Sequence, residues 1–260
     1  MAELLDSARR KLARAKLHID DLKGRISAFE QSHSYESICE PDPDKPDELL
    51  HKIKCNRPIP ETSEIAGDAI NNLREALDHA AYAVALPPRK HCAFPFGSPE
   101  EFARKKSRGH SKDLPEEFFS LFRAFKPYEG GNNLLWALNR ICIANKHTFL
   151  TTITLNATRV TEPFTVTYSR EAEPFWITFP RDIVWDRTKQ EVVVARSSTR
   201  ADAQFQCRVT TFISFDDIEI VRNQEVVAVL DALVGVVDQI LRDTETLARQ
   251  LGVSSDSYPL

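Results

Sequence analysis

Residues 5–29 read LDSARRKLARAKLHIDDLKGRISAF, with apolar side chains at steps that alternate between three and four. This seam consists of Leu5, Ala8, Leu12, Ala15, Ile19, Leu22, Ile26 and Phe29. Steps of three and four place side chains on one side of an α-helix, as in coiled coils and helical bundles. The stretch therefore predicts a long helix that is buried along one side.

The C-terminal part of the chain repeats this spacing. Its seam consists of Val226, Leu230, Leu233, Val237, Ile240, Thr244, Leu247 and Leu251. Gly252 follows it as a helix stop. Because the first and last seams match, we expect their helices to pack side by side, most simply antiparallel. So regular a seam could instead pair two subunits, and a homodimer is the alternative expectation.

Three further helices are predicted between these two. Residues 66–84 carry a third seam, with Thr62 or Ser63 as its cap and Pro87-Pro88 beyond its end. A short helix is expected at 116–125 and a longer one at 132–149. The longer helix has one apolar stripe with Leu138 and another with Trp136 and Ile143, which favours a central position in the bundle.

From residue 151 the apolar period changes to two, which predicts strands at 151–158, 164–168, 175–179, 191–195 and 205–215. Their short spacing favours an antiparallel meander. The predicted fold class is α+β: a bundle of four to five long helices (1–150 and 220–252) with an inserted antiparallel sheet of about five strands (151–219) packed on it. Residues 33–61, which include PDPDKPDE, are expected to form an exposed acidic loop.

Composition excludes several classes of protein. The formal net charge of −4 gives the chain as a whole no electrostatic reason to bind nucleic acid. No apolar run is long enough to span a membrane, and the first residues lack the apolar core of a secretory signal. The five cysteines are scattered and form no CxxC pair, so we expect reduced thiols and a cytoplasmic location.

Polar residues concentrate in GDAINNLREALDHA, residues 67–80. Helical spacing places Asn71, Arg74 and Asp78 in one row, with Asn72 and His79 on the opposite flank. A second polar stretch, LNRICIANKHTFL, spans residues 138–150. Its polar side chains are Arg140, Asn145, Lys146 and His147, and Arg140 and His147 are two helical turns apart.

Two interpretations of these residues remain open. In the structural one, Arg74 and Asp78 form an ion pair between successive turns, Asn145 fixes helix register and the histidines have structural partners. In the functional one, the two stretches form a polar site between neighbouring helices. Histidine can transfer protons near neutral pH, and arginine and lysine can stabilise a developing anion. That combination suits cleavage of RNA without a metal ion.

The motif GDxxNNLRxALDH with a later NKH resembles a widespread set of uncharacterised bacterial proteins. More remotely, the chain resembles the HEPN superfamily of helical bundles. Many members are metal-independent ribonucleases of toxin–antitoxin and phage-defence systems, and they usually act as dimers. Their signature is an arginine followed after four to six residues by a histidine. The resemblance implies Arg74, His79, Arg140 and His147 as catalytic residues.

Other candidate sites are less well supported. The basic run Arg104, Lys105, Lys106, Arg108, His110 and Lys112 could neutralise phosphates, although it contains no aromatic side chain for base stacking. Asp78, His79 and His147 could supply metal ligands, but no metal-binding spacing supports a site. No motif indicates a cofactor. We therefore expect either a HEPN-like ribonuclease, with RNA as partner, or a non-catalytic binding protein whose polar cluster is structural.

Overall fold

The computed structural model describes residues 4–32, 35–56, 62–98, 100, 109–147, 153–168, 176–180, 184–186, 188–199, 203–215, 219–222 and 224–253. At residues 144–147, 153–168 and 203–213 the description covers the backbone alone. The described residues form two compact units. The helical unit comprises those within 1–24, 61–152 and 215–260, and the strand unit comprises those within 25–60 and 153–214.

The architecture is α+β, as the sequence predicts. The described residues include five α-helices: α1 (Asp6–Gln31), α2 (Ser63–Val84), α3 (Glu116–Ala124), α4 (Asn133–His147) and α5 (Val226–Gln250). They also include seven strands: β1 (Tyr35–Asp42), β2 (Lys45–Cys55), β3 (Ile153–Tyr168), β4 (Ile177–Thr178), β5 (Trp185–Asp186), β6 (Glu191–Ser198) and β7 (Ala203–Phe215).

The first and last helices lie side by side and antiparallel, which confirms the prediction from their seams. Near the start of α1, Arg9 binds Asp238 and Glu245, and two turns before the end of α1, Lys23 binds Asp231. Residues later in α1 thus pair with residues earlier in α5, as in an antiparallel arrangement. The α1 seam from Leu5 to Leu22 is at most 2% exposed. The chain itself therefore buries this part of the seam.

Helix α2 is the centre of the helical unit and packs against α4 and α5. The six residues of its predicted seam are all buried, namely Ala66, Ile70, Leu73, Leu77, Ala80 and Val84. The predicted cap is only partly right, because Thr62 precedes the helix but makes no side-chain capping hydrogen bond. At the other end of the bundle, Gly252 has φ +68° and the N–H of Val253 bonds the carbonyl of Ala248, so α5 stops as predicted.

Helix α4 differs from its prediction in one respect. Leu135, Leu138 and Cys142 are buried as expected, but Ile143 is 45% exposed and Trp136 is half-buried. The second apolar stripe is therefore not covered along its length by other described residues. Trp136 of this stripe lines an open groove that is described below.

The strand unit contains a five-stranded antiparallel sheet in the order β1-β2-β6-β4, with β5 also paired to β6. Strand β3 pairs with β7 in a separate two-stranded sheet. The predicted meander is therefore wrong in its order, since β6 pairs with β2, which lies far away in the sequence. Strands that are close in sequence need not pair with each other when a strand from another part of the chain can pair with the same edge.

The exposed loop predicted at residues 33–61 is also wrong, because this region contains the hairpin β1–β2. Strand β1 lies at the edge of the sheet, and most of its side chains are exposed. Edge strands tolerate charge and proline, and Pro41 lies where the pairing register shifts. In β2 the buried run from Leu50 to Ile53 includes His51 and Lys52, which hides its strand character from a hydrophobicity pattern.

Lys52 is 5% exposed, yet two carboxylates satisfy its charge. Its Nζ lies 2.5 Å from Oε1 of Glu40 and 2.8 Å from Oε1 of Glu191. Burial alone would lower the pKa of Lys52, but the hydrogen bonds that Lys52 donates to Glu191 and Glu40 outweigh it and raise the pKa. The three strands β1, β2 and β6 are thus joined by one buried ammonium group.

Among the helices that the structure describes, none combines the length and the apolar character that crossing a bilayer requires.

Candidate functional site

The row Arg74–Asp78 on α2 fastens a following segment of chain to the helix. The Arg74 guanidinium pairs with the Asp78 carboxylate one turn further on. Oδ1 of Asp78 also accepts a hydrogen bond of 2.9 Å from the backbone N–H of Phe94. The charged row is therefore turned toward residues 94–96 of the same chain.

The Arg74 guanidinium also contacts an aromatic ring of the same segment. The Arg74 Cζ atom lies 4.4 Å from the centre of the Phe96 ring, a cation–π contact. Phe94 is 2% exposed and packs against Phe96 and Phe122, with ring centres 5.1 and 5.0 Å apart. The sequence FPF at 94–96 is thus an anchor between α2 and α3, and Arg74 and Asp78 hold it in place.

The opposite flank of α2 contacts α1. Nδ1 of His79 lies 2.7 Å from Oγ of Ser7 in a hydrogen bond. Glu75 forms an ion pair of 2.5 Å with Lys11, one turn along both helices. These contacts make His79 part of the α1–α2 packing.

The amides of α2 also have partners within the chain. Oδ1 of Asn71 lies 3.4 Å from Sγ of Cys142 on α4, so residues 67–80 and 138–150 are adjacent as predicted. Asn72 donates a hydrogen bond of 2.8 Å to the carbonyl of Asp68 in its own helix. The polar side chains of α2 therefore make three separate contacts, with α4, with residues 94–96 and with α1.

The remaining predicted site residues are described in part. Arg140 is exposed on α4, with its Cζ 5.9 Å from the centre of the Trp136 ring. Asn145, Lys146 and His147 belong to the last turns of α4, where the description covers the backbone alone. The basic residues Arg104, Lys105 and Lys106 lie outside the described residues.

Arg74 and His79 do not share a surface. Arg74 faces Phe96, whereas His79 faces Ser7 on α1, in agreement with the flanks that helical spacing assigns to them. A general acid–base and an anion-stabilising group must both reach the same phosphodiester. In this geometry Arg74 and His79 contact two different neighbours.

An open groove lies beside this cluster, between the FPF segment and α4. Its volume is about 540 Å³, and we call it the α4 groove. Its lining includes Phe96, Ser98, Glu100, Glu129, Trp136 and Asn139. Arg74 contacts the ring of Phe96 and Arg140 contacts the ring of Trp136, so each aromatic wall carries a guanidinium.

A tight turn carries Glu129 to the groove. The N–H groups of Tyr128 and Asn132 both bond the carbonyl of Lys126, each at 2.7 Å. Gly131 closes this turn, and a Cβ at this position would come within 2.5 Å of that carbonyl oxygen. A bridge between Gly97 and Tyr128 joins the turn to the other wall of the groove.

The thiol of Cys92 lies close enough to the Asp78 carboxylate to feel its charge. Burial, together with the negative charges of Asp113 and Asp78, raises the pKa of the Cys92 thiol, which therefore stays protonated at neutral pH. In the part of the chain that the structure describes, no three His, Cys, Asp or Glu side chains converge on a position for a metal ion.

Sequence reasoning missed the groove. Phe96, Glu129 and Trp136 come from a loop, a turn and a helix that are adjacent only in the fold. One signal was present, since Trp136 belongs to a second apolar stripe that needed a cover. Comparison with known proteins adds no family to this picture: no family model, curated protein or solved structure matches the chain.

Proposed function

We propose that this chain is a non-catalytic binding protein and that the α4 groove is its binding surface. In this proposal the motif NNLREALDH, residues 71–79, is a structural element that joins α1, α4 and the FPF segment to α2. The observation that carries the proposal is the separation of Arg74 from His79, which contact two different neighbours.

A structural motif and a catalytic one predict different effects of mutation. If Arg74 and Asp78 fasten residues 94–96, Arg74→Met and Asp78→Asn each lower the free energy of unfolding by about 1–3 kcal/mol. The double variant then costs less than the sum of the two, because both changes remove the same contact. Urea unfolding of the four proteins in this cycle measures the coupling.

The accompanying assay incubates end-labelled RNA with the wild-type protein and with His79→Ala in EDTA. We expect no cleavage by either protein. His18→Ala, on the half-buried position of α1, is the matched control for loss of an imidazole. Wild-type cleavage that His79→Ala abolishes at unchanged stability would refute the proposal.

The second candidate function is a HEPN-like, metal-independent ribonuclease built on Arg140 and His147. It is favoured by Arg140, which is exposed beside the groove and whose contact among the described residues is with a ring rather than a carboxylate. The two residues are seven apart in one helix, so both lie on the same face. This candidate includes RNA as partner and a homodimer as the active form.

Arg140→Ala separates the two candidates. For a ribonuclease, this change removes EDTA-resistant cleavage and leaves the unfolding midpoint unchanged, since Arg140 is exposed. Arg10→Ala, an exposed arginine of α1, is the matched control. The described cysteines are free thiols, which supports the cytoplasmic, reducing location proposed for either function.

A further inference from the structure

We infer that the α4 groove binds an ammonium or guanidinium group carried by a Lys- or Arg-containing segment of a partner polypeptide. The inference rests on the proposed function, because it assigns a ligand class to the same groove. It follows from the chemistry of the groove walls and from the balance of charge around them.

The walls combine two aromatic rings with two carboxylates. Phe96 and Trp136 are half-buried, so part of each ring stays accessible from the groove. Glu100 and Glu129 are exposed at the same groove. The accessible part of each ring offers an apolar surface against which an aliphatic stem can pack, and the carboxylates accept the charge-assisted hydrogen bonds that a cation donates. A side chain with an apolar stem and a cationic end satisfies both.

The described charges around the groove favour a cation over a phosphate. Arg74 is already paired with Asp78, so it adds no net charge. Among the described residues that line the groove, Glu100 and Glu129 are the charged ones, and both are negative. A nucleic-acid backbone in this groove would bring its phosphates toward two like charges, which costs affinity. A basic peptide meets complementary charge instead.

The volume of the groove agrees with a ligand of this kind. About 540 Å³ lies within the range of sites that hold small organic groups. The positions of both rings are held by their surroundings. Phe96 packs on Phe94 and Arg74, and Trp136 lies on helix α4. Such a groove needs little rearrangement to receive one side chain and its adjacent backbone.

The experiment observes Trp136 directly in the full chain. The chain has three tryptophans, and the other two, Trp176 and Trp185, belong to the strand unit and serve as internal references. The indole N–H signals are followed by ¹H–¹⁵N correlation NMR during titration with three probes. These are the blocked peptide GKGRG, the blocked peptide GEGEG and octauridylate, all at constant ionic strength.

We expect GKGRG to shift the Trp136 signal saturably, while Trp176 and Trp185 stay in place and GEGEG has no effect. Glu100→Gln with Glu129→Gln removes the two carboxylates and should weaken binding of GKGRG by about fivefold or more. The control double variant is Glu64→Gln with Glu117→Gln, two exposed glutamates outside the groove that change the net charge equally. It should bind like the wild type.

Each other outcome overturns the inference. If octauridylate shifts Trp136 and GKGRG does not, the groove is a binding site for nucleic acid, so the proposed function survives and the ligand class is wrong. If both double variants weaken GKGRG equally, the peptide responds only to net charge. If no probe shifts Trp136, the inference fails and the α4 groove loses its support as the binding surface as well.

Discussion

His51 is buried in the strand unit, where its Nε2 atom lies 2.9 Å from Oγ of Ser197. Burial disfavours the charged imidazolium and lowers the pKa of His51 below its ordinary value of about 6.5. The unfolded chain therefore binds a proton at a pH at which the folded chain does not. The stabilisation that comes from keeping His51 neutral is fully present above the pKa that His51 has in the unfolded chain. It is lost as the pH falls below that value.

We expect the free energy of unfolding to fall between pH 7.5 and pH 5, with His51 contributing at most about 1.4 kcal/mol per pH unit. His51→Gln removes this titration while keeping a polar side chain that can reach Ser197. Urea unfolding at the two pH values measures the difference, and His18→Gln is the control. An identical pH dependence in His51→Gln and wild type would contradict the assignment.

Individual polar residues were the hardest to interpret from the sequence. The flanks of α2 were predictable, because helical spacing alone places Arg74 and His79 apart. Their partners were not, since Phe96 and Ser7 approach α2 only through tertiary packing. The sequence pattern of an arginine and a histidine at this spacing is therefore the same whether the two side chains bind a substrate or contact neighbours in the fold.

At the scale of the element, the turn at 126–132 shapes one wall of the α4 groove. Gly131→Ala would place a Cβ 2.5 Å from the Lys126 carbonyl oxygen, which is a backbone atom and cannot swing aside. We expect this change to lower the free energy of unfolding by about 1–3 kcal/mol. It should also displace Glu129 and weaken any groove ligand.

Gly235→Ala is the matched control for that change. Gly235 lies within α5, and a Cβ there meets nothing within 4 Å. Alanine favours a helix by up to about 1 kcal/mol over glycine, so this variant should be more stable than the wild type. Thermal unfolding of both variants tests the pair, and a stable Gly131→Ala would show that the turn can relax.

Elements differed in how well the sequence predicted them. Helices with an uninterrupted seam, such as α1 and α2, were predicted because burial along one side leaves a strong period. The hairpin β1–β2 was missed because its edge strand is exposed and its inner strand buries Lys52. The paired charges of Glu40 and Glu191 make that burial favourable, and they are supplied by β1 and β6.

At the scale of the whole molecule, the helical unit depends on contacts between distant parts of the chain. Arg9 binds both carboxylate oxygens of Glu245, at 3.0 and 2.9 Å, and also reaches Asp238 at 2.5 Å. Lys23 and Asp231 form a second, more exposed pair. The matching seams predicted this pairing of α1 with α5, but the ion pairs that fix its register were not predictable.

Arg9→Gln should lower the free energy of unfolding by about 2 kcal/mol, because it removes three charge-assisted hydrogen bonds from a partly buried position. Lys23→Gln, in the exposed pair, should change it by less than about 0.5 kcal/mol. Chemical unfolding of the two variants measures both values. Equal effects would mean that burial does not distinguish the two ion pairs.

The antiparallel packing of α1 and α5 has a consequence for biosynthesis. A ribosome that has translated residues 1–225 has released the seams of α1 and α2 but not the helix that packs against both. Until α5 emerges, those apolar faces remain open to solvent, to chaperones and to other nascent chains. Completion of the helical unit therefore waits for the translation of α5, and premature stop codons before α5 should yield insoluble fragments rather than smaller folded proteins.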